Sequence, residues 1–117
     1  MKNVFLVLLV ALLSFSNNAQ EDSGPKKVYQ FEIKQEIGAP IWRTTKMAVE
    51  EAHEIGADLI FINMNTYGGA VDAADSIRTK ILQSKIPVYV LIQNNAASAG
   101  ALISIACDSI FMQPGST

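Results

Sequence analysis

The chain has 117 residues, with nine Lys or Arg against eleven Asp or Glu and a formal charge of −2, so it lacks the basic stripe that phosphate binding needs and no nucleic acid is expected as a partner. Half of the residues are hydrophobic and 17% are charged, which excludes a disordered tail and leaves room for one globular domain at most. The single cysteine, Cys107, excludes an internal disulfide and a Cys/His metal cage, and its place after the apolar run 102–106 reads as a small buried hydrophobe.

Lys2, the apolar run 4–13 and a polar stretch ending on Ala19 make the three regions of a secretory signal peptide. Ten apolar residues rise only about 15 Å as a helix, half of the roughly 30 Å apolar thickness of a bilayer. Residues 1–19 are therefore expected to be a cleaved export signal, cut between Ala19 and Gln20. Residues 20–27, with Glu21, Asp22, Ser23, Gly24 and Pro25, form a short polar leader.

Residues 28–33 read as a strand, and residues 41–55 as a helix with apolar or small residues at 41, 45, 48, 52 and 55. Pro40 suits its first turn and Gly56 its exit. The run Leu59, Ile60, Phe61 and Ile62 reads as a strand buried on both faces. Ala70, Ala74, Ile77 and Ile81 mark a second helix, residues 88–92 a third strand, and residues 109–112 a fourth. Between the last two, a helix should start close to Ser98. Strand and helix alternating at roughly thirty-residue spacing predict an α/β fold with a mainly parallel sheet. The pattern stops at residues 115–117 with its sheet unfinished, so residues 28–117 are expected to be the front part of a larger domain.

Ligands of an open parallel sheet bind beyond the carboxyl ends of the strands. Two segments fit that position: residues 63–70 (Asn-Met-Asn-Thr-Tyr-Gly-Gly-Ala) and residues 93–100 (Gln-Asn-Asn-Ala-Ala-Ser-Ala-Gly). A Gly-Gly pair brings bare N–H groups close to another atom, as an oxyanion hole demands, although a plain strand-to-helix turn has the same composition. Ser98 among alanines and a glycine fits equally a helix that needs close packing and a nucleophile at a helix N-terminus, with the Ala99 N–H free. Neither a dinucleotide nor a phosphate loop is present, and no metal or cofactor is expected.

No base is assigned from the residues. His53 precedes both segments and sits beside Glu50 and Glu54 on the polar side of its helix, where a solvated histidine is the plain reading. Lys80 and Lys85 close the second helix as ordinary C-terminal charges, and Asp72 and Asp75 read as its solvated face.

A Gly-Gly loop after one strand followed by Ala-Ser-Ala-Gly after the next resembles the Clp-class peptidases. Residues 94–101 (Asn-Asn-Ala-Ala-Ser-Ala-Gly-Ala) resemble the nucleophile segment of the NfeD family of membrane-bound serine proteases. The resemblance covers about residues 28–117 and implies the spiral of strands and helices shared by ClpP and crotonases. It implies Ser98 as the catalytic nucleophile, and the N–H groups of Gly69 and Ala99, with Gly68 assisting, as the oxyanion hole. It implies a Ser-Lys system whose lysine follows residue 117, since none follows Lys85, and a membrane tail beyond residue 117. Apolar peptide as substrate, a stomatin-like membrane protein as partner and a homo-oligomer are implied with it. Tyr67 departs from the proline that often precedes the glycines in the family. A catalytically silent scaffold of the same fold remains the alternative, and a crotonase-type enzyme acting on a thioester is disfavoured by the export signal.

Overall fold

A computed structural model of the chain describes residues 24–117. The export signal at residues 1–19 and the first part of the polar leader lie outside the described residues. The elements run β1 (Val28–Ile33), α1 (Ala39–Glu54), β2 (Leu59–Thr66), α2 (Val71–Leu82), β3 (Val88–Ala96), α3 (Ala99–Ser104) and β4 (Ser109–Met112). The four strands form one sheet in the order β1-β2-β3-β4, and every neighbouring pair is parallel. The expected α/β class with a parallel sheet is what the chain adopts.

Helix α1 starts after Gly38 with Pro40 in its first turn, where a missing N–H is harmless, and buries Ile41, Thr45, Ala48, Val49 and Ala52. Ile55, expected on that stripe, is exposed instead, because the helix ends at Glu54 and Ile55 caps it. Helix α2 buries Ala73, Ala74, Ile77 and Ile81, whereas Ala70 lies outside it as the N-cap. The helices stack side by side, α1 on α2 and α2 on α3.

Residues paired across parallel strands point to the same face. Phe31 and Ile33 of β1, Ile60, Ile62 and Met64 of β2, and Val88, Val90 and Ile92 of β3 share the face beneath the helices, and all are buried. Leu59 and Phe61 lie on the opposite face with Tyr89 and Leu91, and each is only half-buried. The two-sided burial expected for residues 59–62 is therefore not found: strands in sequential order, joined by crossovers of one hand, place every helix on a single face.

Strands β2 and β3 also run further than their apolar segments, to Thr66 and Ala96, taking in residues expected to be loop. Pairing survives a register shift between Met64 and Thr66 because the polar stretch finds partners for its backbone. Asn95 N–H donates to Asn65 Oδ1, Thr117 N–H to the Asn94 carbonyl, and Ala96 N–H to the Thr117 carbonyl.

Cys107 packs against the core and its thiol donates to the Ile103 carbonyl. Burial, reinforced by the Asp108 carboxylate, pushes the thiol up to about 12.

Two expectations follow from this packing. Ile62→Ala should destabilise the domain by about 2–5 kcal/mol, whereas Ile105→Ala, at a side chain 72% exposed, should change it by less than about 0.5 kcal/mol; urea titrations of the two variants check this. Cys107 should resist iodoacetamide at pH 8 and react on unfolding. Its folded value lies above its unfolded one, so its contribution is intact below the ordinary thiol value and is lost as pH rises toward 12, which stability curves of wild type and Cys107→Ala would reveal.

Candidate functional site

Both glycine-containing segments leave the sheet at its carboxyl edge, from the adjacent strands β2 and β3. Ala97 N–H donates to the Thr66 carbonyl at 3.1 Å, so the second segment is tied to the first one residue before Ser98. Ser98 then turns the chain into α3 with φ 50° and ψ −113°, the only non-glycine residue at positive φ among those described. That combination lies outside the broadly allowed regions and costs about 1–3 kcal/mol, which the surrounding contacts must hold in place. The turn lifts the serine out of the sheet: Ser98 is exposed, and its hydroxyl makes no hydrogen bond among the described residues.

The Gly-Gly segment comes up against this turn. A Cβ on Gly68, built at φ +114°, would stand 2.9 Å from the Ser98 Cβ and 3.3 Å from the Ala99 nitrogen, so only a glycine fits there. Gly69, at φ +153°, lies against residue 37, and a Cβ on it would meet the Ile37 carbonyl oxygen at 2.1 Å. Ile37 forms a parallel bridge with Gly69, donates its N–H to the Gly68 carbonyl at 2.8 Å, and accepts the Ala70 N–H at 2.8 Å.

Of the three donors expected for an oxyanion hole, Gly68 is engaged elsewhere, because its N–H donates to Thr66 Oγ1 at 3.1 Å. Its place is close approach rather than donation. The N–H groups of Gly69 and Ala99 have no acceptor among the described residues. Helix α3 is six residues long, so the free Ala99 N–H, rather than a helix macrodipole, is what it offers an anion. Its small residues serve packing as well: a Cβ on Gly100 would come 2.7 Å from Thr66 Cγ2. The close-packing and nucleophile readings of this segment are thus compatible.

A cavity of about 270 Å³ opens beside Ser98, lined by Val71, Ala74, Ala99 and Leu102. A second, of about 460 Å³, lies along the Gly-Gly segment and is walled by Lys34, Gln35, Glu36 and Tyr67, the last 82% exposed.

The candidate bases are not brought to this edge. A helix between parallel strands returns the chain to the amino edge of the sheet, so His53 in the last turn of α1, Lys80 in the last turn of α2 and Lys85 beyond it lie at the opposite end from Ser98. Lys80 pairs with Glu50 at 3.1 Å, and Asp75 with Arg78 at 2.7 Å, while Asp72 is exposed. Two residues that hold the site escaped the sequence reading, Thr66 and Ile37. Their signals were a Thr-x-Gly spacing, which allows the hydroxyl to take the N–H two residues on, and a lone isoleucine amid polar residues before Gly38.

A family profile described as "NfeD1b, N-terminal domain" matches residues 27–117. The membrane protein NfeD1b of Bacillus subtilis is 30% identical over 93% of the chain, and the membrane-bound protease PH1510 of Pyrococcus horikoshii is 34% identical over 77% of it. The chain spans 24% and 21% of the lengths of these two relatives. Among solved structures, the 1510-N membrane protease specific for a stomatin homologue from Pyrococcus horikoshii superposes with a TM-score of 0.73 at 33% identity, over 80% of this chain and 48% of that one. That protease is also known as a serine-to-alanine variant, and as a lysine-to-alanine variant in complex with a substrate peptide. ClpP1 of Listeria monocytogenes superposes with a TM-score of 0.72 at 29% identity, over 75% of this chain and 53% of that one. With the sheet, the strained serine and the Gly-Gly segment in the arrangement described, these matches agree with the resemblance read from residues 94–101: the chain has a ClpP-like fold and belongs to the NfeD1b N-terminal domain family.

Proposed function

We propose that residues 28–117 are the front part of a serine endopeptidase that cuts apolar segments of membrane-associated proteins through an acyl-serine intermediate. The observation that carries this reading is the strained backbone of Ser98, whose hydroxyl has no hydrogen bond among the described residues and whose Cβ lies close against Gly68. Likeness to a protease known as serine and lysine variants supports it. In the proposed reaction Ser98 Oγ attacks the scissile carbonyl carbon and gives its proton to the neutral amine of a lysine expected after residue 117. The carbonyl oxygen becomes an oxyanion received by the N–H groups of Gly69 and Ala99. Collapse breaks the C–N bond, the lysine returns the proton to the leaving amine, and water then releases the acyl group. The cavity lined by Val71, Ala74 and Leu102 suits an apolar substrate side chain.

Partner and place follow the same reading. A stomatin-like membrane protein is the proposed substrate and a homo-oligomer the proposed assembly, both in line with the family resemblance; the exposed apolar residues Ile110, Phe111 and Met112 lie on the edge strand β4, where further strands of the domain are expected. Export through the 1–19 signal would put the domain outside the cytoplasm or at the membrane surface.

A fluorophosphonate probe with intact-mass analysis tests the nucleophile in the full-length protein. One label is expected in the wild type and none in Ser98→Ala; unchanged labelling of that variant would place the nucleophile elsewhere, and an unlabelled wild type would favour the silent scaffold. Gly69→Ala, which forces a Cβ into Ile37, should slow cleavage by about 10²–10³-fold. N-terminal sequencing of exported protein should begin at Gln20, and a retained Met1 would overturn the cleaved signal.

A further inference from the structure

Thr66 takes no part in the chemistry proposed above, yet its side chain is almost wholly buried and its atoms reach both site segments. Its Oγ1 donates to the Gln35 carbonyl at 2.8 Å and accepts the Gly68 N–H at 3.1 Å. Its own carbonyl accepts the Ala97 N–H, and its methyl group lies against Gly100. The Gly68 carbonyl is held in turn by Ile37 N–H at 2.8 Å. Both backbone polar groups of Gly68 are therefore engaged.

The two groups belong to successive peptides: the Thr66 bond holds the Tyr67–Gly68 peptide, and the Ile37 bond fixes the direction of the Gly68–Gly69 peptide. A trans peptide carries its C=O and N–H on opposite sides. With the Gly68 carbonyl turned toward Ile37, the Gly69 N–H is turned away from it and is left free. Half a turn of that peptide would exchange the two groups and offer a carbonyl oxygen where an oxyanion needs a donor. Glycine on both sides resists such rotation poorly, so hydrogen bonds must prevent it.

We infer that Thr66 is a positioning residue for acyl transfer at Ser98: its hydroxyl, anchored on Gln35, holds the Tyr67–Gly68 peptide by the Gly68 N–H, and so sets Gly68 where the Ile37 N–H takes its carbonyl and the Gly69 N–H is left outward. This rests on the acyl-serine reading. It makes the hole dependent on the segment between β1 and α1, which supplies both Gln35 and Ile37.

The test compares Thr66→Val, which keeps shape and loses the hydroxyl, with Thr66→Ser, which keeps the hydroxyl and loses the methyl, in the full-length protein. Phosphonate labelling rate and kcat on an apolar peptide should fall about tenfold to a hundredfold in Thr66→Val, with KM within about twofold. Thr66→Ser should recover to within about threefold of wild type. If the valine variant does not fold, Thr66→Ala against Thr66→Ser makes the same comparison. Wild-type rates in Thr66→Val, or a serine variant as slow as the valine one, overturn the inference. A wild-type protein that never labels overturns the acyl-serine reading itself, whereas a labelled wild type beside an equally fast Thr66→Val overturns only the part given to Thr66.

Discussion

The hydrogen bond from Ala97 N–H to the Thr66 carbonyl joins the ends of β2 and β3 at the carboxyl edge of the sheet, and the site depends on it. Together with the Asn95 N–H bond to Asn65 Oδ1, it carries the β2–β3 pairing past the register shift. Beyond it, the serine turn and the Gly-Gly segment pack so closely that Gly68 has no room for a Cβ. Parallel pairing is what makes the link available, since neighbouring strands end at the same edge and release their loops side by side.

Strain at Ser98 is held by what surrounds it rather than by its own side chain, which caps nothing. Gly100 N–H donates to the Ala97 carbonyl and Ala101 N–H to the Ser98 carbonyl, fixing the turn from its helical side. On the other side the backbone of Gly68 packs so closely that a Cβ there would stand 2.9 Å from the Ser98 Cβ. The apolar body of the domain, with Ile62, Ile77, Val90 and Ile103 fully buried, supplies the rigidity against which such a conformation persists.

Much of this was legible in the residues. The ends of β1 and β4 fell where the apolar patterns placed them, and Pro40 and Gly56 marked the limits of α1. Ser98 and the Gly-Gly pair each fit a plain turn or close helix packing when read alone, and only the two segments together, through their resemblance to a known family, marked them out. Other features were hidden for physical reasons. Asn94 and Asn95 look like loop, and only partners remote in sequence, Thr117 and Asn65, keep them in β3. The hydroxyl of Thr66 acts through Gln35, 31 residues earlier, a contact that no local pattern encodes. Leu59 and Phe61 carry the composition of a doubly covered strand, and which face the helices leave open is decided by strand order alone.

That one-sided layering favours a bend in the sheet. Helices need about 10 Å of lateral room, while neighbouring strands are spaced by about 4.8 Å. Each strand-helix unit is thus wider on its helical side than on its sheet side, and stacked units must bend as wedges do, with the sheet on the inner arc. Leu59, Phe61, Tyr89, Leu91 and Phe111 share the face that such a bend would turn inward, and on it the Tyr89 and Phe111 rings lie 5.8 Å apart.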